Sequence, residues 1–209
     1  PYIHQVIEED GLIGQAQNIN IEDLLGREAI LFDDKNVREM VTGKVCMITG
    51  GGGSIGSELC RQIASHAPKQ LIIFDVYENN AYDIEQELKE NCSGLNLVVL
   101  IGSVRDSRKL NQVFETYKPE IVFHAAAHKH VPLMEYSPCE AIKNNAIGTY
   151  KTAYAAMKNG CSRFVLISTD KAVNPTNVMG CSKRLAEIYV QTLSRAIISG
   201  EVEGKTKFI

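Results

Sequence analysis

The stretch Thr49-Gly50-Gly51-Gly52-Gly53-Ser54-Ile55-Gly56 follows a short apolar run, residues 44–49, and a segment compatible with a helix comes after it. It reads as G-x-x-G-x-x-G from Gly50 and as G-x-G-x-x-G from Gly51. Glycine is needed because a side chain would block the tight turn and the approach of the backbone to a pyrophosphate at the helix N-terminus. The motif alone is weak, but its strand–turn–helix context predicts a dinucleotide-binding unit.

Short apolar runs alternate with helical stretches along the rest of the chain. Strands are predicted near residues 44–49, 70–74, 96–101, 120–124 and 163–168. The alternation is typical of βαβ units and a parallel sheet, and the scarcity of polar residues in the runs indicates that helices cover both faces. We therefore expect an α/β fold with a doubly wound, Rossmann-type parallel sheet. The predicted division is an N-terminal arm or linker, 1–42, with short helices near 18–25 and 36–41, and a dinucleotide-binding domain, 43–209.

A carboxylate at the end of the second strand, Asp75, indicates which dinucleotide the domain would bind. It can accept hydrogen bonds from both hydroxyls of an adenosine ribose, whereas it would repel a 2′-phosphate, so NAD is favoured over NADP. The simpler alternative is a glycine-rich turn beside a surface aspartate. After the third strand, Asp106 is interpreted either as a hydrogen-bond acceptor for the adenine amine or as a helix N-cap. The residues predicted from these patterns to bind the cofactor are Gly50, Gly53, Ser54, Ile55, Gly56, Asp75, Asp106, Ala125 and Ala126.

The segment after the fourth strand contains three histidines, His124, His128 and His130, within seven residues. No carboxylate or cysteine lies beside them at zinc-ligand spacing, so we predict no metal site and expect loop or substrate-facing histidines. The small residues Ala125 and Ala126 leave room for a cofactor across the sheet edge. Asn145, in a helical stretch further on, is predicted to hold backbone groups near the fourth strand.

The composition of the chain excludes several classes of function. The chain has 209 residues, 44% of them hydrophobic, enough for one sizeable core. A net charge of −3 with scattered Lys and Arg argues against a nucleic-acid partner. Six cysteines without a C-x-x-C pair fit the reduced thiols of a cytosolic protein. No apolar run is long enough to cross a bilayer.

The stretch from Ser168 to Lys183 carries the predicted chemistry. Asp170 and Lys171 place an acid and an amine directly after the fifth strand, and Met179 and Lys183 lie four residues apart, on one face of a helix. Many nicotinamide enzymes have tyrosine and lysine in that arrangement, but a thioether has no titratable hydrogen and cannot transfer a proton. The alternative is an amphipathic helix after a solvated charged turn. The position at strand ends of an open α/β sheet favours a functional site.

Together these motifs resemble the extended short-chain dehydrogenase/reductase superfamily and, within it, the CapD-like polysaccharide-biosynthesis proteins, which are nucleotide-sugar 4,6-dehydratases. The resemblance covers about residues 19–209 and is most specific in Thr169-Asp170-Lys171 with Met179-x-x-x-Lys183. Related dehydratases carry Thr-Asp-Glu in the first motif and tyrosine in the second. Methionine is the familiar residue of the CapD-like subgroup.

The resemblance implies a lyase reaction in which hydride passes from sugar C4 to NAD, the C5 proton is removed, water leaves across C5 and C6, and hydride returns to C6. Lys171 is then the candidate base at C5, and Asp170, with its pKa raised in a crowded pocket, the proton donor to the C6 hydroxyl. Thr169 and Ser168 would hydrogen-bond the C4 oxygen, and Lys183 the nicotinamide ribose. Because Met179 fills the tyrosine position, water, Thr169 and Asp170 all stay open as acceptors of the C4 hydroxyl proton.

The resemblance also implies a UDP-sugar substrate, UDP-N-acetylglucosamine first among them, in surface polysaccharide or capsule synthesis. A nucleotide-sugar epimerase and a non-catalytic NAD-binding module are the alternative functions. We expect a homo-oligomer, and a cytoplasmic domain whose longer relatives attach to the cell membrane through an N-terminal region. Residues 206–209 read like the opening of another buried strand, so we expect the domain to stop short of a C-terminal sugar-binding subdomain.

Overall fold

A six-stranded parallel sheet forms the centre of the computed structural model, which describes residues 34–209. Neighbouring strands follow the order β3-β2-β1-β4-β5-β6. The chain therefore builds outward from β1 in one direction and then from β4 in the other, so these two strands flank the topological switch point. The strands are β1 Val45–Thr49, β2 Gln70–Asp75, β3 Leu97–Ile101, β4 Ile121–His124, β5 Arg163–Leu166 and β6 Lys207–Phe208.

Helices connect the strands and cover the sheet. The α-helices are α1 Asp34–Val41, α2 Ser54–Ser65, α3 Glu78–Asn91, α4 Ser107–Tyr117, α5 Val131–Tyr136, α6 Pro138–Ala141, α7 Gly148–Lys158 and α8 Val178–Ser199. A π-helical segment, Ile142–Ile147, joins α6 to α7, and a single 3₁₀ turn, Asp170–Ala172, precedes α8. No helix within residues 34–209 is both long enough and apolar enough to span a membrane.

Alternate residues of the buried strands enter two separate cores, one on each face of the sheet. Met47 and Phe74 pack with side chains of α4, α7 and α8, whereas Ile48 and Ile73 pack with side chains of α1, α2 and α3. This is the consequence of the period-2 side-chain direction of a strand that has helices on both faces. The predicted doubly wound α/β fold is confirmed.

Two sequence predictions differ from the structure by two residues at one boundary, whereas the first four strands agree with their predicted bounds to within one residue. The fifth strand was expected over 163–168 but ends at Leu166, because the chain leaves the sheet there to form the site described below. The helix expected over 36–41 is α1, which begins two residues earlier. The helix predicted near 18–25 lies outside the described residues, and the division at residue 42 stays a prediction.

His124 is buried in β4, so the expectation that it faces a loop or the substrate is wrong. Its Nδ1 lies 2.7 Å from the Thr49 hydroxyl and its Nε2 lies 2.9 Å from the Thr149 hydroxyl. Thr149 donates its own proton to the Asn145 carbonyl at 2.6 Å, so it accepts a hydrogen bond from Nε2–H. Burial lowers the pKa of His124 to about 3, so this histidine is neutral and joins β1, β4 and α7.

Candidate active site

The glycine turn leaves no space for side chains where it passes between the ends of β1 and β4. Gly50 has a φ of +71°, and a Cβ atom there would lie 2.7 Å from the Ala126 backbone. A Cβ atom at Gly56 would lie 1.9 Å from the Gly50 carbonyl oxygen. The turn ends at Ser54, the first residue of α2, where the first N–H groups of the helix lack intrahelical acceptors. Backbone donors and a positive helix end therefore meet at this point.

A first cleft of about 180 Å³ lies beside this turn, above the ends of β1, β2 and β4. Asp75 lines it and is anchored by two backbone groups, because Oδ2 accepts the Gly52 N–H at 2.8 Å and Oδ1 accepts the Tyr77 N–H at 2.9 Å. Each oxygen keeps a lone pair that can receive a ligand hydroxyl. The remaining wall includes small or apolar residues, namely Phe74, Gly102, Ser103, Val104, Ala125, Ala126 and Ala127.

Asp106 caps α4. Its Oδ1 accepts the N–H groups of Arg108 at 2.9 Å and Lys109 at 3.0 Å. Both hydrogen bonds lower the pKa of Asp106, and the bond from Lys109 has the larger effect. Of the two interpretations left open by the sequence, the structure therefore contains the N-cap. The adenine contact stays a prediction.

A second cleft of about 310 Å³ continues from the first along the ends of β1, β4 and β5. The two share Gly50, Gly53, Ala125, Ala127 and His128, so together they form one channel across the switch point. In addition to Gly50, Gly53 and Ala125, the structure brings together in this second cleft seven more of the predicted site residues, Ser54, Ile55, Gly56, Thr169, Lys171, Met179 and Lys183.

The N-terminus of α8 is fixed by two side chains. The Asn177 Oδ1 accepts the Gly180 N–H at 2.8 Å, and the Glu135 Oε1 accepts the Val178 N–H at 2.7 Å. A Cβ atom at Gly180 would lie 2.2 Å from the Lys171 carbonyl oxygen, so glycine allows the first turn of α8 to rest directly on the 3₁₀ turn. The helix start and the acid–amine pair are thereby built as one unit.

Met179 and Lys183 are both buried on the side of α8 that lines the second cleft. Met179 is 3% exposed and packs with Met134 and Ala141. The Lys183 ammonium is also enclosed and donates to the Ile167 carbonyl at 2.6 Å. Burial lowers the pKa of Lys183 to about 8. The alternative, an amphipathic helix with Met179 at a core position and Lys183 at a surface position, therefore agrees with the burial of Met179 but is wrong for Lys183, which is 5% exposed.

Asp170 does not have the environment expected for it. Its side chain is 85% exposed, and its Oδ1 accepts the Thr169 hydroxyl at 2.9 Å and the Lys171 ammonium at 3.3 Å. The Thr169 hydrogen bond, followed by the contact with Lys171, lowers the pKa of Asp170. The expectation of a raised pKa in a crowded pocket is wrong for this structure, because the carboxylate lies in solvent beside two donors.

Ser168 lines the second cleft, and its predicted hydrogen bond to the substrate stays a prediction. Its hydroxyl donates to Glu187 Oε1 at 2.5 Å, so its proton is already used. Glu187 was not singled out from the sequence, although an acid four residues after Lys183 on one helix face is a usable signal.

Asn145 has the supporting role predicted from the sequence. Its Oδ1 accepts the His128 N–H at 2.8 Å, and its Nδ2 donates to the His128 carbonyl and to the Ser182 hydroxyl, each at 2.9 Å. The π-helical segment carries this side chain, and π segments often occur at functional sites. Asn145 therefore joins the loop after β4 to α8.

Replacing Lys183 with Met should stabilise the chain near neutral pH while removing the buried ammonium. The unfolded chain keeps this proton up to about the ordinary pKa of 10.5, whereas the folded chain releases it near 8, so wild-type stability rises with pH between the two values. The cost of burying the ammonium is complete below pH 8 and corresponds to about 3 kcal/mol. The substitution removes this cost but also removes the hydrogen bond to Ile167, which lowers the gain in stability by about 1 kcal/mol.

The free energy of unfolding, measured by urea denaturation of wild type and Lys183→Met, tests this. The variant should be more stable at pH 7, and its advantage should shrink by pH 9.5. A difference that stays constant with pH, or grows, contradicts a buried ammonium of lowered pKa.

Comparison with known proteins shows the family to which the chain belongs. The family model described as "Polysaccharide biosynthesis protein" matches residues 46–209. The capsular polysaccharide biosynthesis protein CapD of Staphylococcus aureus is 42% identical over 210 residues, which is 100% of this chain and 34% of CapD. The chain thus spans about a third of the length of that relative.

Two kinds of nucleotide-sugar enzyme are also similar to the chain. A UDP-N-acetylglucosamine 4,6-dehydratase (inverting) of Campylobacter jejuni is 36% identical over 145 residues, covering 69% of this chain and 42% of the dehydratase. A UDP-glucose 4-epimerase of Rickettsia rickettsii is 37% identical over 166 residues, covering 78% of this chain and 47% of the epimerase. With a Rossmann-type sheet and a match to the family model over residues 46–209, the chain belongs to the polysaccharide biosynthesis protein family, among relatives that include nucleotide-sugar dehydratases and epimerases.

Proposed function

We propose that this domain is the cofactor-binding and catalytic part of an NAD-dependent nucleotide-sugar 4,6-dehydratase, a lyase that acts on UDP-N-acetylglucosamine. One observation carries the proposal: a buried Met179 occupies the tyrosine position, while Thr169 and Lys171 line the same cleft. A group that cannot exchange protons stands beside two that can. The proton transfers of the reaction are therefore assigned to the segment before α8.

The residues of the channel fit NAD. The crowded glycine turn and the start of α2 form a cradle for a pyrophosphate, and Asp75 offers two anchored oxygens to a ribose. Lys183 reaches the second cleft and would hold the ribose on the nicotinamide side. The chemistry that NAD supplies when bound is reversible hydride transfer, from C4 of the sugar and then to C6.

Thr169, Asp170 and Lys171 then divide the proton transfers. The Thr169 hydroxyl already donates to Asp170, so it can pass the C4 hydroxyl proton to that carboxylate. Lys171 must first release its ammonium proton to solvent, and the neutral amine then removes the C5 proton. Asp170, now protonated, gives its proton to the C6 hydroxyl, which leaves as water, and Lys171 afterwards returns a proton to C5. For this step the sugar must cover Asp170, since withdrawal from water raises a carboxyl pKa. The Asp170 carboxylate thus receives the proton of the C4 hydroxyl and later protonates the C6 hydroxyl.

The dehydratase assignment is tested by incubating the full-length protein with UDP-N-acetylglucosamine and following the sugar by NMR. A 4-keto-6-deoxy product is expected. NAD binding together with conversion to a C4 epimer supports the epimerase, the second candidate, which the similarity to the Rickettsia enzyme favours. Tight NAD binding with no change in any UDP-sugar supports a non-catalytic module instead.

Asp75→Asn should weaken NAD binding by about ten- to a hundredfold, because one or two hydrogen bonds to a charged acceptor are lost. The same change should leave the affinity for NADP equal or higher, since the repulsion of a 2′-phosphate falls. Calorimetric titration of wild type and variant with both dinucleotides measures this. An unchanged preference for NAD would show that Asp75 does not contact the ribose.

A further inference from the structure

Glu187 lies on α8 one turn after Lys183 and is engaged through both of its oxygens. Its Oε1 accepts the Ser168 hydroxyl at 2.5 Å, and its Oε2 accepts the Arg184 guanidinium at 2.8 Å. The Glu187 side chain is 19% exposed, whereas that of Arg184 is 46% exposed. The carboxylate is thus held on the protein side of the helix by a neutral donor and from the solvent side by a cation.

Two hydrogen bonds attach the exit of β5 to α8. The Lys183 ammonium donates to the Ile167 carbonyl at 2.6 Å, and the Ser168 hydroxyl donates to Glu187. Consecutive residues of the exit are therefore fastened to consecutive turns of one helix. Thr169 follows directly, so the bond from Ser168 fixes the point at which the segment with the proton-transfer groups leaves the sheet.

Glu187 also balances the charge of the cleft. The ionisable side chains that line the second cleft with Lys183 are His128, Lys129 and Lys171, and His124 on β4, which burial keeps neutral, lies close enough for Lys183 to lower its pKa further. Burial lowers the pKa of Lys183 and the Glu187 carboxylate raises it. Glu187 is itself kept ionised, because the hydrogen bonds from Ser168 and Arg184 offset the effect of its burial and lower its pKa.

We propose that Glu187 is a positioning residue with two actions: through Ser168 it fixes the strand exit that carries Thr169, Asp170 and Lys171, and through its charge it keeps Lys183 in the ammonium form that holds the cofactor. The proposal rests on the cofactor site and on the reaction given under the proposed function. Two variants separate the two actions. Glu187→Gln keeps an acceptor for Ser168 and removes the charge, whereas Ser168→Ala keeps the charge and removes the hydrogen bond.

The charge action is tested by NMR titration of lysine side chains in the 209-residue chain between pH 6 and 10.5. The Lys183 midpoint should fall by about one pH unit in Glu187→Gln and stay within about 0.2 units of wild type in Ser168→Ala. Arg184→Gln is the matched control, because it removes the other charge in contact with Glu187. It should leave the midpoint unchanged or raise it. An unshifted midpoint in Glu187→Gln, or an equal shift in Ser168→Ala, overturns this action.

Cofactor affinity gives a second readout that a merely structural role would not move. In wild type the NAD affinity should fall as the pH rises and Lys183 loses its proton. In Glu187→Gln this fall should begin at a lower pH, and the difference should equal the change in the Lys183 midpoint. Equal pH profiles for the two proteins contradict the proposal.

The positional action appears in turnover of the full-length protein. Ser168→Ala should lower kcat at least tenfold, with the KM for the UDP-sugar within about threefold of wild type, and Ser168→Thr, which keeps the hydroxyl, should restore it. Unchanged kcat in Ser168→Ala overturns this action. If no UDP-sugar is converted, the dehydratase assignment fails and the positional action with it, while the NMR titration still decides the charge action independently.

Discussion

Lys171→Met is expected to lower turnover of the UDP-sugar by about a thousandfold, with the NAD affinity within about threefold of wild type. A positioned general base contributes roughly a hundred- to ten-thousandfold, and the amine of Lys171 is the candidate for removal of the C5 proton. The variant should still reach the oxidised C4 stage, so it should bind substrate and fail at the elimination. In deuterated water it should show no exchange at C5, whereas wild type exchanges there.

Lys129→Met is the matched control for this prediction. Lys129 lines the same cleft, but its ammonium lies 3.5 Å from the Ser54 hydroxyl at the start of α2, whereas the Lys171 ammonium contacts Asp170. Its loss should affect mainly binding and leave kcat within about tenfold of wild type. Equal damage from the two substitutions would mean that the cleft needs positive charge in general. Retention of a tenth or more of wild-type turnover by Lys171→Met would remove it as the base.

Gly50→Ala is expected to abolish NAD binding and to destabilise the fold by several kcal/mol. The residue has a φ of +71°, which costs an alanine about 1–2 kcal/mol. In addition, the new Cβ would lie 2.7 Å from the Ala126 backbone. Both segments are held in place, because the Gly50 N–H donates to the Phe74 carbonyl at 2.8 Å and the Ala125 N–H donates to the Thr49 carbonyl at 3.0 Å. The change therefore separates β1 from β4 at the point where the pyrophosphate would lie.

Gly160→Ala isolates the part of this effect that comes from crowding. Gly160 has a φ of +74°, but nothing lies within 4 Å of a Cβ atom there. Its substitution should lower the free energy of unfolding by only the conformational 1–2 kcal/mol and should not change NAD affinity. Urea denaturation and calorimetric titration of the two variants measure the difference. Similar effects in both would show that backbone strain alone, without the contact to Ala126, explains the need for glycine.

The sheet and the floor of the channel were predictable because local patterns determine them. The apolar runs predicted the strands of a doubly wound sheet, and the glycine motif predicted the turn after β1. Small residues such as Ala125 at the end of the fourth strand predicted the space for a cofactor. Met179 and Lys183 were predictable as a pair from helical spacing, and both line the second cleft.

The exposure of Asp170 was not predictable, because a 3₁₀ turn after a strand gives no periodicity that fixes the direction of each side chain. The contact of Ser168 with Glu187 joins residues nineteen apart, and its geometry depends on how α8 lies against the exit of β5. The same holds for Gly180, whose need for glycine follows only from its contact with Lys171. Residues that position a site through tertiary contacts therefore left little trace in local sequence patterns.

The destination of the C4 hydrogen tests the central proposal most directly. The full-length protein with NAD is given UDP-N-acetylglucosamine that carries deuterium at C4, and the product is examined by NMR and mass spectrometry. We predict that the deuterium is found at C6 of a 4-keto-6-deoxy sugar, with one water lost per turnover. Deuterium that returns to C4 of an epimerised sugar, with no water lost, would contradict the dehydratase account.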